Sequence, residues 1–417
     1  QKKFNQHLAE MIAVDGLPLS FTKGVGFNRL IDFLKPELNV MSPRTMSRIL
    51  EDLAKKVAVP ALSRDLASAI PLTHFIVDLW SSRTRDSIIG IKVQFVFNWE
   101  LRTCTLAFKH FPGHHTGDHI REAFENELLE RGIQKDQIGC VVCDNASNMT
   151  KAFNMSMLMN DKWLSTGLDG DIDEEEASPE ECSTSEIDVS EALCPCHRIR
   201  CAAHTLQLAV NGAIRNEEAA KELIDVVNRV INIFRRSSYW TGRLKDLCGK
   251  DLVPATGTRW NSILAALKRL TQTDVFDAVE LVVQEHNEAH RAKAVEAGPP
   301  TFTLSRLGRL QGLLKPLGDA TDRLQGDGVT SAIVHLCVST CYAQIKNYPA
   351  EDFADLQKRL LGELSDRFKP LLEDDLLVAG SVLNPRLKLR VFQPTFAEGL
   401  RKPTPADAVA KVKRLLQ

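Results

Sequence analysis

Two aspartates of the sequence follow short apolar runs, where an acidic side chain is unexpected. Asp78 comes after residues 75–77, and Asp144 comes after residues 138–143. A carboxylate in such a place is costly to bury unless it is paired or binds a cation. If the two runs form neighbouring strands, Asp78 and Asp144 could hold divalent metal ions for two-metal phosphoryl transfer.

Each aspartate also has a structural interpretation, and the residues alone leave both open. Asp144 begins the run Asp-Asn-Ala-Ser ahead of a predicted helix, and Asp, Asn and Ser are favoured helix caps. Asp78 could mark the end of a strand before a Ser81-Ser82 turn, although strands disfavour Asp.

A cluster of cysteines and histidines has the residue types of a zinc site. Cys194, Cys196 and His197 precede Cys201 and His204. A zinc finger usually separates its two ligand pairs by about a dozen residues, and this spacing is much shorter. The alternative is that Cys201 and His204 share one helical turn and make packing and hydrogen-bond contacts.

Arg259 and Trp260 begin a predicted helix rich in Leu and Ala. A Trp at a helix start usually anchors a core. On a basic face, the same pair could instead bind a phosphate and stack on an extruded base. The sequence favours the core interpretation.

Hydrophobic periodicity predicts the elements that would position these residues. Helical spacing covers the chain up to about residue 70. Three strands, a crossover helix, a fourth strand and a helix from about residue 146 then form an α/β layer. The chain from residue 202 onward is predicted to be helical. The predicted strands are residues 75–80, 88–97, 103–111 and 138–143, and the crossover helix is 118–131.

Charge is distributed unevenly along the 417 residues, although the formal net charge is only −2. Residues 169–191 contain eleven Asp or Glu and no Lys or Arg, which predicts a solvated loop over 168–193. Outside that stretch, basic residues exceed acidic ones by nine. This surplus is compatible with a polyanionic partner.

Cysteine usage and hydropathy narrow the class of protein. The ten cysteines follow no short-domain disulfide pattern, which favours a reducing compartment. No apolar run approaches the length of about 18 residues needed to span a membrane. The first residues contain no signal-peptide core and no initiator Met, so we expect a fragment of a longer protein.

In their order, these features resemble the hAT superfamily of DNA transposases, including relatives linked to BED-type zinc fingers. Each motif alone is weak, whereas the ordered combination is specific and covers most of the chain. The motifs are residues 75–82, 115–116, 143–149, 200–208, 234–237, 258–262, 314–316 with 320–321, and 383–388.

The resemblance implies an RNase H-like mixed sheet flanked by helices and interrupted by a large helical insertion, so the fold class is α/β plus all-α. The domains expected are a helical region over 1–70, the catalytic core over 71–200, the insertion over 201–400, and the return to the core from 401–417.

The resemblance also assigns roles to individual residues. Asp78 and Asp144 match the first two catalytic acids, which would hold Mg²⁺ or Mn²⁺. Cys201 and His204 match a cysteine-x-x-histidine motif, and Arg259-Trp260 match an Arg-Trp motif whose Trp stacks on a base of the hairpinned flank. The partners implied are transposon-end and target DNA, and the location implied is the nucleus.

Two departures from the family pattern leave a second function open. The family's catalytic Glu follows the insertion, and no segment before Gln417 matches it. A front BED finger and the C-terminal dimerisation region, through which a homo-oligomer would form, are also missing. With two of the three metal-binding acids, the chain is expected to be inactive alone. It is expected to be either a piece of a metal-dependent transposase core or a domesticated relative that binds DNA or chromatin without catalysis.

Overall fold

A computed structural model of the chain describes residues 1–69, 72–82, 84–153, 197–255, 260–289, 302–326 and 331–416. These residues form a five-stranded sheet and many helices, which confirms the predicted combination of an RNase-like α/β core with helical regions. Arg259, Cys194, Cys196 and the predicted acidic loop 168–193 lie outside the described residues.

The chain divides into two compact units, and neither is one continuous stretch of sequence. The first contains Gln1–Val141 and Ala152–His197, and the second contains Val142–Lys151 and Arg198–Gln417. The division therefore falls inside one strand of the sheet, which runs from residue 138 to residue 143.

The sheet has the strand order β3-β2-β1-β4-β5. The first four strands coincide with the predicted ones to within three residues at each end. Antiparallel pairing joins β1 to β2 and β2 to β3. The strands are β1 (Thr73–Ser81), β2 (Ser87–Phe97), β3 (Glu100–His110), β4 (Ile138–Cys143) and β5 (His197–Arg200).

Alternating burial along β1 gives the sheet of the first unit a packed face and an open face. Phe75 and Val77 are buried, whereas Ile76 and Asp78 are exposed. The crossover helix packs on the buried face, where the rings of Phe75 and Phe124 meet edge to face at 5.2 Å. Asp78 therefore points away from this part of the core.

The crossover helix α5 (Gly117–Arg131) begins and ends as its sequence predicts. The hydroxyl of Thr116 accepts a hydrogen bond from the backbone N–H of His119. Gly132 ends the helix with a φ of 70°, a conformation that costs a glycine little. The residues before the helix thus form the expected turn.

The N-terminal helices of the first unit share a small core of their own. Leu8, Ile12 and Met46 are buried at its centre. Ser42 caps the third helix by accepting from the Thr45 N–H, and Pro43 occupies the first helical position. The helices are α1 (Lys2–Val14), α2 (Val25–Leu34), α3 (Pro43–Leu53) and α4 (Val59–Ala67).

The second unit is helical apart from its part of the sheet. Its interior is built mainly from leucine, of which Leu307, Leu314 and Leu364 are fully buried. Among the described helices, none is both long and apolar enough to cross a membrane. The helices are α6 (Ser147–Phe153), α7 (Ala202–Arg215), α8 (Glu218–Arg235), α9 (Ser238–Cys248), α10 (Trp260–Leu270), α11 (Thr273–Ala289), α12 (Leu304–Leu324), α13 (Val334–Lys346), α14 (Ala354–Leu372), α15 (Asp375–Leu383) and α16 (Pro405–Leu415).

His335 is a fully buried polar residue of the second unit. Its ring nitrogens lie 3.0 Å from the Ser381 hydroxyl and 2.9 Å from the Leu372 carbonyl oxygen. Burial lowers the pKa of His335 to about 4, and the hydrogen bond to the Leu372 carbonyl opposes this effect; Lys402 adds a smaller lowering and Asp374 a smaller raising of the pKa. The side chain is therefore neutral in the folded protein at pH 7.

We expect this histidine to make the fold sensitive to acid. The unfolded chain takes up the proton at about pH 6.5, before the folded chain does, so stability falls as the pH drops from about 6.5 to about 4. The shift corresponds to a loss of about 3 kcal/mol. Urea unfolding of the wild type and of His335→Gln at pH 7 and pH 4.5 measures this difference. An equal decline in both proteins would contradict the prediction.

Candidate functional site

Asp78 lies on the open face of β1, opposite Gly90 of β2. One carboxylate oxygen accepts a hydrogen bond from the backbone N–H of Leu79 at 3.0 Å. On the same face, the ring of Trp80 covers Gly90, where a Cβ atom would lie only 2.8 Å from the indole. The carboxylate is accessible to solvent beside an aromatic surface.

The strand that leads to Asp144 lies next to β1 in the sheet. At the start of both strands, the Thr73 hydroxyl donates to the Gln137 carbonyl oxygen at 3.0 Å. One residue further along β1, the His74 ring lies 3.0 Å from the Cys140 sulfur. Since successive residues of β1 meet later residues of β4, the two strands run in the same direction.

Asp144 follows β4 directly and forms the turn into α6. Its Oδ1 atom accepts a hydrogen bond from the Ala146 N–H at 3.0 Å. The helix begins at Ser147, so this bond closes an Asx turn ahead of the helix and is not the N-cap bond that the capping interpretation predicts. The turn uses one carboxylate oxygen and does not exclude metal binding.

Arg198 of β5 holds this turn from the neighbouring strand. Its guanidinium donates to the Asp144 carbonyl oxygen at 2.7 Å and to the Cys143 sulfur at 3.2 Å. Burial raises the pKa of the Cys143 thiol, and the nearby Arg198 partly opposes this effect. The thiol is therefore neutral at pH 7 and serves as a hydrogen-bond acceptor.

Arg198 was not among the residues predicted from the sequence. A basic pair, Arg198 and Arg200, precedes Cys201 in the sequence. This pair was the available signal, but a four-residue strand is too short to show periodicity.

Cys201 and His204 occupy the first turn of α7. The Cys201 N–H donates to the Cys143 carbonyl oxygen at 2.8 Å, which joins the start of the helix to the end of β4. The Cys201 carbonyl oxygen in turn accepts from the Thr205 hydroxyl at 2.9 Å. The backbone of Cys201 thus fixes the end of the strand that leads to Asp144.

Trp260 is the first residue of α10 and is only 2% exposed. The helix packs against α12 at Gly318, where a Cβ atom would lie 2.5 Å from Leu264 and 3.9 Å from the Trp260 ring. This position agrees with the core interpretation. Stacking of Trp260 on a base remains a prediction, and it would require α10 to expose the ring.

Comparison with known proteins shows which proteins this chain is similar to. A family model described as the ZBED1 RNase-like domain matches residues 76–167, which include both Asp78 and Asp144. The chain is 24% identical over 282 residues to the zinc finger BED domain-containing protein 4 of Homo sapiens. The aligned stretch covers 65% of this chain. Both matches support a relationship to the hAT and BED-related proteins. The chain spans about a fifth of the length of that human relative, 21%.

Asp78 and Asp144 have side chains of the type that binds divalent metals. Carboxylate oxygens are the ligands that Mg²⁺ prefers, and it is often bound by one or two of them together with substrate phosphates and water. Asp78 and Asp144 provide donors of that kind. Among the residues that the structure describes, no group of three or more His, Cys, Asp or Glu side chains is arranged to hold a metal ion.

Proposed function

We propose that the chain is the DNA-binding core of a hAT-type transposase, in which Asp78 and Asp144 hold Mg²⁺ or Mn²⁺ against a scissile phosphate. The observation that carries this proposal is the arrangement of their strands. β1 and β4 are neighbours in the sheet and run in the same direction, Asp78 lies on β1, and Asp144 directly follows β4.

A contact at the start of the two strands precedes both acids by the same number of residues. His74 contacts Cys140, and each aspartate comes four residues after one member of this pair. Four residues of a strand cover about 13 Å. Asp78 completes these steps on β1, whereas the last step to Asp144 lies in the turn after β4.

The two acids would have different local supports in this function. Asp78 stands on a regular strand, and Asp144 stands in a turn that Arg198 holds through the backbone. When bound, the metal ions would activate the attacking oxygen and stabilise the leaving oxygen of the phosphodiester. DNA is the proposed partner, the nucleus is the proposed location, and a homo-oligomer is the proposed assembly.

A domesticated DNA-binding protein without catalysis is the second candidate. It is favoured because the described residues contain no group of three potential ligands that includes the two aspartates. The charge surplus outside residues 169–191 serves either function, since both need contacts with DNA phosphates.

Three measurements on the full chain separate the candidates. Binding of duplex DNA is followed by electrophoretic mobility at increasing salt, binding of Mn²⁺ by electron paramagnetic resonance, and strand cleavage by nicking of a supercoiled plasmid. For the transposase core, we expect DNA binding that weakens with salt, saturable Mn²⁺ binding and, in a version extended past Gln417, nicking that EDTA abolishes.

The other outcomes are equally informative. DNA binding without Mn²⁺ binding would overturn the metal site and support the domesticated protein. If the chain binds neither DNA nor Mn²⁺, both functions are contradicted.

A further inference from the structure

The second unit contains a cavity of about 440 Å³ between α13, α14 and the segment that precedes α16. Its volume lies in the range of about 300–1,000 Å³ that is typical of small-ligand sites. The lining is predominantly polar, and it includes Lys346, Lys358 and Arg401 as three cations and Asp366 as an acid. All of these residues belong to the second unit.

The cations of the cavity are available to an anionic ligand. Lys358 makes no ion pair with any residue that the structure describes. Arg401 pairs with Asp366 at 3.1 Å, and Lys346 pairs with Glu398 at 3.2 Å. Both pairs are largely exposed to solvent, and exposed pairs contribute little to stability. A ligand with two negative charges could replace them at small cost.

Tyr342 provides a neutral donor at the same place. Its side chain is only 7% exposed. Its hydroxyl lies 3.0 Å from the position of a Cβ atom on Gly399, which also lines the cavity. The hydroxyl can therefore donate a hydrogen bond to a ligand beside the three cations.

Two glycines keep the cavity open. Gly399 has a φ of 99°, so a side chain there would be strained and would press on Tyr342. Gly362 of α14 has no heavy atom within 4 Å of the position that a Cβ would take. A side chain at Gly362 would therefore enter the cavity without displacing other atoms.

We propose that this cavity binds a phosphate group of a small phosphorylated molecule, through Lys346, Lys358, Arg401 and the Tyr342 hydroxyl. Arg and Lys make strong charge-assisted hydrogen bonds to phosphate oxygens. The volume of this open depression matches a small ligand, and we therefore favour a small molecule over a polymer. This inference is independent of the proposed transposase function, because none of its residues takes part in the site of Asp78 and Asp144.

Calorimetric titration of the full chain with inorganic pyrophosphate tests the inference. We expect one saturable site whose affinity falls at higher salt. Lys358→Ala and Arg401→Ala should each lower the affinity about tenfold or more, since each removes a charge-assisted bond. Tyr342→Phe should lower it severalfold and leave the thermal unfolding of the free protein nearly unchanged.

A matched pair of glycine variants controls for indirect effects. Gly362→Gln fills the cavity and should abolish pyrophosphate binding. Gly308→Gln changes a helical glycine of α12 that also has open space around it but lies away from the cavity, and it should bind as the wild type does.

A competition arm identifies the source of the phosphate. If duplex DNA displaces pyrophosphate and its own binding is lost in Lys358→Ala, the cavity binds a backbone phosphate of nucleic acid. If it does not, the ligand is a small phosphorylated molecule. The inference is overturned if the wild type shows no saturable binding, or if Lys358→Ala and Gly362→Gln both bind pyrophosphate as the wild type does.

Discussion

Replacing Asp78 or Asp144 by asparagine is expected to abolish saturable Mn²⁺ binding and to slow plasmid nicking about 1,000-fold. Each change removes a negatively charged ligand and keeps the size of the side chain. A metal ion contributes several kcal/mol of transition-state stabilisation, and each 1.36 kcal/mol is worth tenfold in rate. Electron paramagnetic resonance and single-turnover nicking measure the two effects.

The asparagine variants also separate metal binding from the turn at Asp144. Asn forms the same Asx turn as Asp, so Asp144→Asn should keep the bond from the Ala146 N–H, whereas Asp144→Ala should lose about 1 kcal/mol of stability. Asp136→Asn, an exposed change ahead of β4, is the control. Normal Mn²⁺ binding by Asp144→Asn would show that this residue serves only the turn.

Replacing Trp260 by alanine is expected to lower the free energy of unfolding by about 3–5 kcal/mol, whether or not the protein acts on DNA. The ring is 2% exposed where α10 meets α12, and its loss would leave a large cavity there. Chemical denaturation followed by circular dichroism gives the difference. The matched control is Trp99→Ala, because Trp99 is 90% exposed and its loss should cost less than about 0.5 kcal/mol.

Such a large loss of stability would confuse a test of base stacking, so the function of Trp260 needs a gentler change. Trp260→Phe keeps an aromatic ring in the core and reduces its stacking area. If Trp260 stacks on a base, hairpin formation should fall in this variant while nicking is kept. Equal hairpin yields in the variant and the wild type would assign Trp260 to the core alone.

The strands and the crossover helix could be predicted because their signals are local. Alternation along β2 and the turn at its end define one strand, and Thr116 and Gly132 are capping residues at fixed places around a helix. The two aspartates could be predicted as candidates because they interrupt apolar runs. A single sequence also carried enough ordered motifs to indicate the family relationship.

The remaining parts of the site depend on contacts between residues far apart in the chain. Arg198 reaches the Asp144 carbonyl oxygen across more than fifty residues, and no local pattern announces such a bond. The cavity between α13 and α14 also depends on such contacts, because Tyr342 and Arg401 come from separate segments of the chain. Helical periodicity can place a residue on a face, but it does not specify which neighbour covers that face.

The discontinuity of the second unit decides how the protein can be divided for experiments. A recombinant piece starting at Arg198 would lack residues 142–151, which provide the acceptors for the Arg198 side chain and the Cys201 amide. A protease cut within residues 154–196 would leave that short stretch covalently attached to the other unit. A self-sufficient excised domain would therefore need residues 142–151 grafted back through an artificial linker.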